Sequence, residues 1–383
     1  MSLTADIKEN AYELGFDLIG IAPAARALHA EAYAAWVDAG YAATMGYMTH
    51  DVSRRQDPRQ VLPGACSVIV VGLSYFVADP PDELWNDPSR GRIARYAWGL
   101  DYHEVMLPRL RQLGDFILSQ TGQEVRQRAY VDSGPVLERD FAAQAGLGFI
   151  GKNTCLINPT VGSYLFLGEI LVGLELEFDE PAADPGAKIL VSASQKPIVA
   201  AQVHHGGWAQ TGAGRWPRTS RQRVGTCGAC TRCLETCPTH AFPAAYILDS
   251  NRCISYLTIE LRGSIPLELR PLMGNWVFGC DACQSVCPWP RRFAQPTRGD
   301  LLCFDPEQVA PKLLDLIGLS DAEFRARFRR TPLWRAKRRG LLRNVAVALG
   351  NWGDPRAVPA LRRALDDPEP LIREHAAWAL ARI

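Results

Sequence analysis

The hydrophobic positions change period several times along the chain. Ile7, Ala11 and Leu14 recur at helical spacing after Thr4, a residue able to cap a helix, and Gly15 ends the pattern. Residues 17–22 form a short apolar run closed by Pro23 and read as a strand. A second helix is expected over 28–39, stopped by Gly40. The β-branched, wholly apolar stretch 67–76 predicts a buried strand, and the Pro, Asp and Gly of 79–91 predict a loop. In 105–119, Leu107, Leu110, Leu113, Phe116 and Ile117 share one helical face. A strand over 125–131 and a helix over 135–145 follow. The first 180 residues therefore read as mixed α/β.

Residues 181–226 break the pattern with Pro, Gly, Ala, Gln and His, and read as a linker or insertion. Its His204-His205 pair is more simply an incidental surface pair than a metal site. From about residue 304, Gly falls and Leu, Ala and Arg rise. The segment 341–349 matches 372–380 at an offset of 31 residues, with Gly353-Asp-Pro and a second short helix between them. This is the pattern of HEAT-like helical repeats, in which small residues let paired helices approach. The expected fold class is a multidomain α+β protein: 1–180, 181–226 (linker), 227–303 and 304–383.

Composition narrows the class. Hydrophobic residues make up 47% and charged residues 22%, which rules out wholesale disorder. Lys+Arg is 42 against Asp+Glu 41, so any nucleic-acid surface must come from local clustering. Nine Lys/Arg do cluster between 325 and 343, with Phe324, Phe328 and Trp334 interleaved. Such a strip suits phosphates and exposed bases, although a solvated helix face with its aromatics turned inward has the same sequence. No apolar run approaches a membrane span and the N-terminus lacks a secretory pattern, so a cytoplasmic protein is expected.

Of eleven cysteines, eight fall between Cys227 and Cys287, and Cys66, Cys155 and Cys303 are scattered. An odd count without an export signal argues for metal binding over disulfides. Cys227-x2-Cys230-x2-Cys233-x3-Cys237-Pro is followed by Cys253, and then by Cys280-x2-Cys283-x3-Cys287-Pro. In two-cluster ferredoxins the last cysteine of such a run serves the neighbouring cluster. The expected assignment is Cys227, Cys230, Cys233 and Cys287 on one [4Fe–4S] cluster, with Cys237, Cys253, Cys280 and Cys283 on the other. Zinc is the rival, because C-x2-C pairs also make zinc knuckles, but a tetrahedral site has no use for the extra thiols. Two such clusters conduct electrons without binding a small substrate. The residues alone leave the acceptor open: Gly146-x-Gly148-x-x-Gly151 follows a helix where a dinucleotide loop would follow a strand, and no Walker loop is present.

Six ordered segments together resemble the epoxyqueuosine reductases of tRNA modification. They are Arg95-Tyr-Ala-Trp-Gly-Leu-Asp-Tyr-His103, Tyr130-Val-Asp-Ser-Gly134, Gly146-Leu-Gly-Phe-Ile-Gly-Lys-Asn153, Gly162-Ser-Tyr-Leu-Phe-Leu-Gly-Glu169, Cys253-Ile-Ser-Tyr-Leu-Thr-Ile-Glu260 and Gly279-Cys-Asp-Ala-Cys-Gln284. The resemblance implies an N-terminal cobalamin-binding domain, a two-cluster ferredoxin-like domain and an all-α HEAT-like tail. The implied reaction is reduction of epoxyqueuosine to queuosine at the wobble position of Asp, Asn, His and Tyr tRNAs. Electrons would pass from an external donor through the clusters to cobalt in a monomeric protein.

By the same resemblance Asp132 is the proton donor and also touches cobalamin. Arg59, Ala97, Leu156 and Leu167 are further cofactor contacts, and Ser255 and Asp281 lie beside the clusters. From the residues alone, Asp132 reads equally as a turn residue before Ser133-Gly134, Arg59 as a solvated surface cation, and the leucines as core. Partial burial after the apolar 129–131 stretch is expected to raise the Asp132 carboxyl pKa. Asp101-Tyr-His103 begins like a cobalt-ligating motif but has Met106 where Gly is needed, so base-off cobalamin is implied. A corrinoid reductase of another substrate, such as an organohalide, and a non-catalytic electron carrier or RNA-binding scaffold remain open at this point.

Overall fold

The computed structural model describes residues 2–122, 124–181, 225–297 and 305–383. The insertion, its histidine pair and Cys303 lie outside these residues. Strands β1 (Leu18–Pro23), β2 (Ser67–Ser74), β3 (Gln127–Tyr130) and β4 (Leu165–Val172) form one sheet in the order β1-β2-β4-β3. Every pairing is antiparallel, although helices alternate with strands along the chain. β2 is buried along its whole length, as its unbroken apolar run requires.

Helices cover both sheet faces. On one, α1 (Leu3–Glu13) and α2 (Tyr102–Thr121) pack Ile7, Ala11, Leu110, Leu113 and Ile117 against Ile69, Phe166, Ile170 and Val172. On the other, α3 (Glu138–Gln144) places Phe141 and Ala142 against Val68, Val70 and Leu171. The helix-capping expectation for Thr4 fails. Ser2 is the cap, its hydroxyl accepting from the Ala5 N–H at 3.4 Å, while Thr4 lies inside α1 and accepts from the Glu177 N–H at 3.0 Å. The interior site wins because it gives a buried hydroxyl and a distant backbone donor a mutual partner.

The tail is helical. α4 (Lys337–Trp352) ends at Gly353, whose φ of 69° suits only glycine comfortably. α5 (Val358–Ala364) and α6 (Pro370–Leu380) follow. The Ala and Gly positions of the internal repeat bring α4 against α6: a Cβ at Gly350 would lie 2.8 Å from the Ala379 Cα. The tail is anchored on the cysteine region by side chains of α4. Asn344 donates to the carbonyls of Thr258 (2.9 Å) and Val277 (2.8 Å), and Arg343 donates to those of Leu257, Leu261 and Gly263. A two-residue parallel pairing of Arg92–Ile93 with Trp276–Phe278 ties the same region to the N-terminal part.

Candidate active site and cysteine nests

Asp132 follows β3 in a tight turn closed by Ser133 N–H donating to the Val131 carbonyl at 2.6 Å. Its φ of 57° is a left-handed conformation uncommon for a side-chain-bearing residue, a form of strain that often marks functional positions. Tyr102, at the start of α2, donates its hydroxyl to Asp132 Oδ2 at 2.7 Å. The Tyr102 ring is fixed by stacking on Phe166, with centroids 4.3 Å apart. Burial, reinforced by the Asp132 charge, pushes the Tyr102 phenol far above its ordinary pKa, so it keeps the proton it donates. The expected partial burial of Asp132 is not found: its side chain is exposed, because the turn lifts it off the end of the strand. Gly134 completes the turn, as a Cβ there would sit 2.5 Å from the Tyr130 ring.

The same part of the chain holds several buried polar atoms without partners among the described residues. They are both carboxylate oxygens of Glu169, Arg55 Nε, Gln144 Nε2 and Asn153 Nδ2. Glu169 is 0% exposed on β4, two residues from Leu167 and hence on the same sheet face. Leu156 packs into that face as well. Burial, with Glu138 and Asp132 nearby, holds the Glu169 carboxyl well above the carboxylate range and lifts Glu138 to about 7. Arg55 Nη1 donates to the Gly134 carbonyl at 3.3 Å and Nη2 to the Tyr47 carbonyl at 3.0 Å, tying this set to the Asp132 turn. Unpaired buried donors and acceptors call for a ligand offering both kinds of group, and the amide arms of a corrinoid offer them. Pattern reading missed Arg55, Glu138, Gln144 and Glu169, and a charged residue inside the otherwise apolar β4 was the only signal for the last.

The cysteines gather into two nests. Cys287 is pushed up to about 11 by burial and by Cys227, Cys233 and Cys230 around it. Cys280 is raised by burial and by Cys253 and Cys237, and Cys283 by Cys155, burial and the thiols of Cys280 and Cys253. All ten described cysteines are free thiols, and no three His, Cys, Asp or Glu side chains among the described residues converge as for one metal ion. The turn between Gly151 and Cys155 reaches both nests: Lys152 N–H donates to Cys227 Sγ at 3.4 Å, and the Cys155 thiol pairs with Cys283. Cys155 is thus a neighbour of the second nest. Ser255 N–H points at Cys253. Asp281, 2% exposed, accepts from Arg95 N–H at 2.7 Å, and burial raises its carboxyl to about 6. It joins the 95–97 turn to the second nest.

Two other expected contacts have surroundings of their own. Arg59 is exposed and paired with Asp57 at 2.7 Å, as a local surface pair. Ala97 is buried and lines a cavity of about 230 Å³ with Ile93, Phe328 and Leu333 against the tail. The basic strip survives only in part. Phe324 and Phe328 are buried and turned inward, so they offer no stacking surface, because amphipathic packing of the tail takes them. Arg343 is 0% exposed, and Arg338 pairs with Asp367 at 2.5 Å. Arg325, Arg327, Arg329, Arg330, Arg335, Lys337 and Arg339 remain exposed. Arg335 reaches the mouth of the site, pairing with Glu260 at 2.5 Å and lying 5.7 Å over the Tyr47 ring.

The parts of the chain define an iron–sulfur oxidoreductase with a helical-repeat tail. Residues 226–290 match the 4Fe-4S double cluster binding domain and residues 335–383 match HEAT repeats. Residues 55–133 match the family described as epoxyqueuosine reductase QueG, DUF1730. The epoxyqueuosine reductase of Pseudomonas aeruginosa is 41% identical, the match covering 99% of this chain and 94% of that protein. Among solved structures, an epoxyqueuosine reductase with an epoxyqueuosine-modified tRNA-Tyr stem loop aligns at a TM-score of 0.82, 29% identity, over 99% of this chain and 90% of that one. The Bacillus subtilis enzyme, captured with its catalytic loop swung out of the active site, aligns at 0.81 with 30% identity and the same coverage. The chain belongs to the epoxyqueuosine reductase family.

Proposed function

We propose that this chain reduces epoxyqueuosine in tRNA to queuosine, consuming two electrons and two protons and releasing one water. The observation that carries the reading is the Asp132 turn: an exposed carboxyl, oriented by a buried tyrosine, at the edge of a recess lined with unpaired polar atoms. Cys227, Cys230, Cys233 and Cys287 would hold one [4Fe–4S] cluster, and Cys237, Cys253, Cys280 and Cys283 the other. Arg55, Gln144 and Glu169, with Leu156 and Leu167, would hold cobalamin, which supplies low-valent cobalt able to attack a strained epoxide carbon. The substrate is a tRNA anticodon of the Asp, Asn, His or Tyr type, bound by a monomer in the cytoplasm.

The acid chemistry follows from the hydrogen bonds. Tyr102 occupies Oδ2 of Asp132, which leaves Oδ1 as the oxygen able to face the substrate. Opening the epoxide develops negative charge on its oxygen, and a proton delivered there lowers the barrier. Glu138, held near 7, keeps a second exchangeable proton within the electrostatic reach of Asp132. Arg55 fixes the backbone of the turn through Gly134, so the acid presents one orientation.

The test is nucleoside mass spectrometry of an epoxyqueuosine stem loop incubated with cluster- and cobalamin-loaded protein and a strong reductant. Asp132→Asn is expected to lower turnover by about 10²–10⁴-fold while the protein still takes up cobalamin. Parent-like turnover by this variant would remove Asp132 from the chemistry. Failure of the fully loaded parent to convert the stem loop would remove the function itself.

A further inference from the structure

The two cysteine nests differ in the residues that flank them. Around the first, Thr226, Gly228, Ala229, Thr231 and Arg232 are exposed, as are Pro288, Arg291 and Arg292 beyond Cys287. In the second, Cys253 and Cys280 pack against the buried Ile254, Tyr256 and Trp276, and buried Asp281 joins the nest to Arg95 in the first part of the chain. Among the described residues, the exposed flank of the first nest therefore offers a short way in for electrons from outside.

The surface there has a definite charge. Segments 226–240 and 284–297 carry Arg232, Arg291 and Arg292 against the single carboxylate of Glu235, in a chain whose overall charge is only +1. Glu235 is held by the Thr231 hydroxyl at 2.5 Å. Lys152 adds a further cation, its ammonium fixed on the carbonyls of Gly228 (2.8 Å) and Cys230 (3.0 Å). Between the arginines lie two half-buried aromatic rings, Trp289 and Phe293, with centroids 5.8 Å apart. An aromatic centre with a cationic rim is the anatomy of a protein–protein contact, and one sign of charge steers the opposite sign toward it.

We propose that this face is the docking surface for a small acidic one-electron carrier protein, seated on Trp289 and Phe293 and steered by Arg232, Arg291 and Arg292. Each encounter oxidises the carrier by one electron and reduces the first cluster by one. Two encounters supply the pair consumed per epoxide, while the protons arrive separately at the Asp132 side. The inference rests on the reading that these four cysteines hold a cluster, and the experiment separates the two.

Full-length protein with reconstituted clusters is mixed anaerobically with photoreduced flavodoxin, an acidic carrier, and bleaching of the cluster absorption is followed by stopped flow. The second-order rate is expected to fall about tenfold between low and moderate salt. Arg291→Glu with Arg292→Glu is expected to slow it about tenfold at low salt. Reduction by photoreduced deazariboflavin, a small uncharged donor, is expected to be unchanged. Arg291→Gln with Arg292→Gln repeats the test should charge reversal disturb folding. Equal flavodoxin rates in parent and variants, or a rate indifferent to salt, would overturn the docking surface. Reconstituted parent lacking eight irons would overturn the cluster reading instead.

Discussion

At the residue scale, unusual backbone geometry and buried charge come together near the Asp132 turn. Asp132 sits at positive φ, Tyr102 donates to it, and Glu169 lies fully buried without a partner a short way behind. A carboxyl whose folded pKa is raised binds its proton more tightly in the native than in the unfolded state. Its contribution to stability is complete below the unfolded value and is lost as pH rises through the folded one. Glu169 and Glu138 are both raised. The cofactor-free protein is therefore expected to lose stability between pH 5 and pH 8, and Glu169→Gln to flatten that loss. Denaturant unfolding at the two pH values checks this, and an unchanged pH slope in the variant would mean that Glu169 is charged and paired in solution.

At the element scale, α4 is the beam that joins the tail to the second cysteine nest. Arg343 lies in its buried face and satisfies three carbonyls around residues 257–263, just after Cys253. Burial lowers its guanidinium to about 9, a sign of how far the cation has been taken from water. Replacing it with Met leaves those carbonyls without their donor, and destabilisation of about 3 kcal/mol or more is expected. The neighbouring exposed Arg339→Met is expected to stay within about 0.5 kcal/mol. Unfolding midpoints of the two variants distinguish a structural arginine from a surface one, although both belong to a single basic run in the sequence.

At the scale of the whole molecule, the proposed contact with tRNA can use only what remains of that run after folding. Arg325, Arg329 and Arg339 are exposed, whereas Arg338 and Arg343 are committed to internal partners. Changing the three exposed residues to Gln is expected to weaken binding of an anticodon stem loop and to reduce the slope of log affinity against log salt by about 2–3. Titrations at several salt concentrations read this directly. A slope equal to that of the parent would place the phosphate contacts elsewhere. No helix among the described residues is long and apolar enough to cross a membrane.

Local chemistry was legible without coordinates. Thiol spacing pointed to a pair of iron–sulfur cubanes, the 31-residue offset to paired helices, and the unbroken apolar run of β2 to a strand covered on both faces, because each depends on neighbours a few residues away. Only the tertiary structure decided that Cys155 joins the second nest, that the sheet is antiparallel, that Phe324 and Phe328 face inward and that Arg59 stays on the surface. It alone also brought Arg55, Tyr102 and Gly134 to one turn across 79 residues of chain. Burial and long-range pairing are properties of the packed whole. A linear pattern records which side chains can enter a core or a site, and packing selects which of them do.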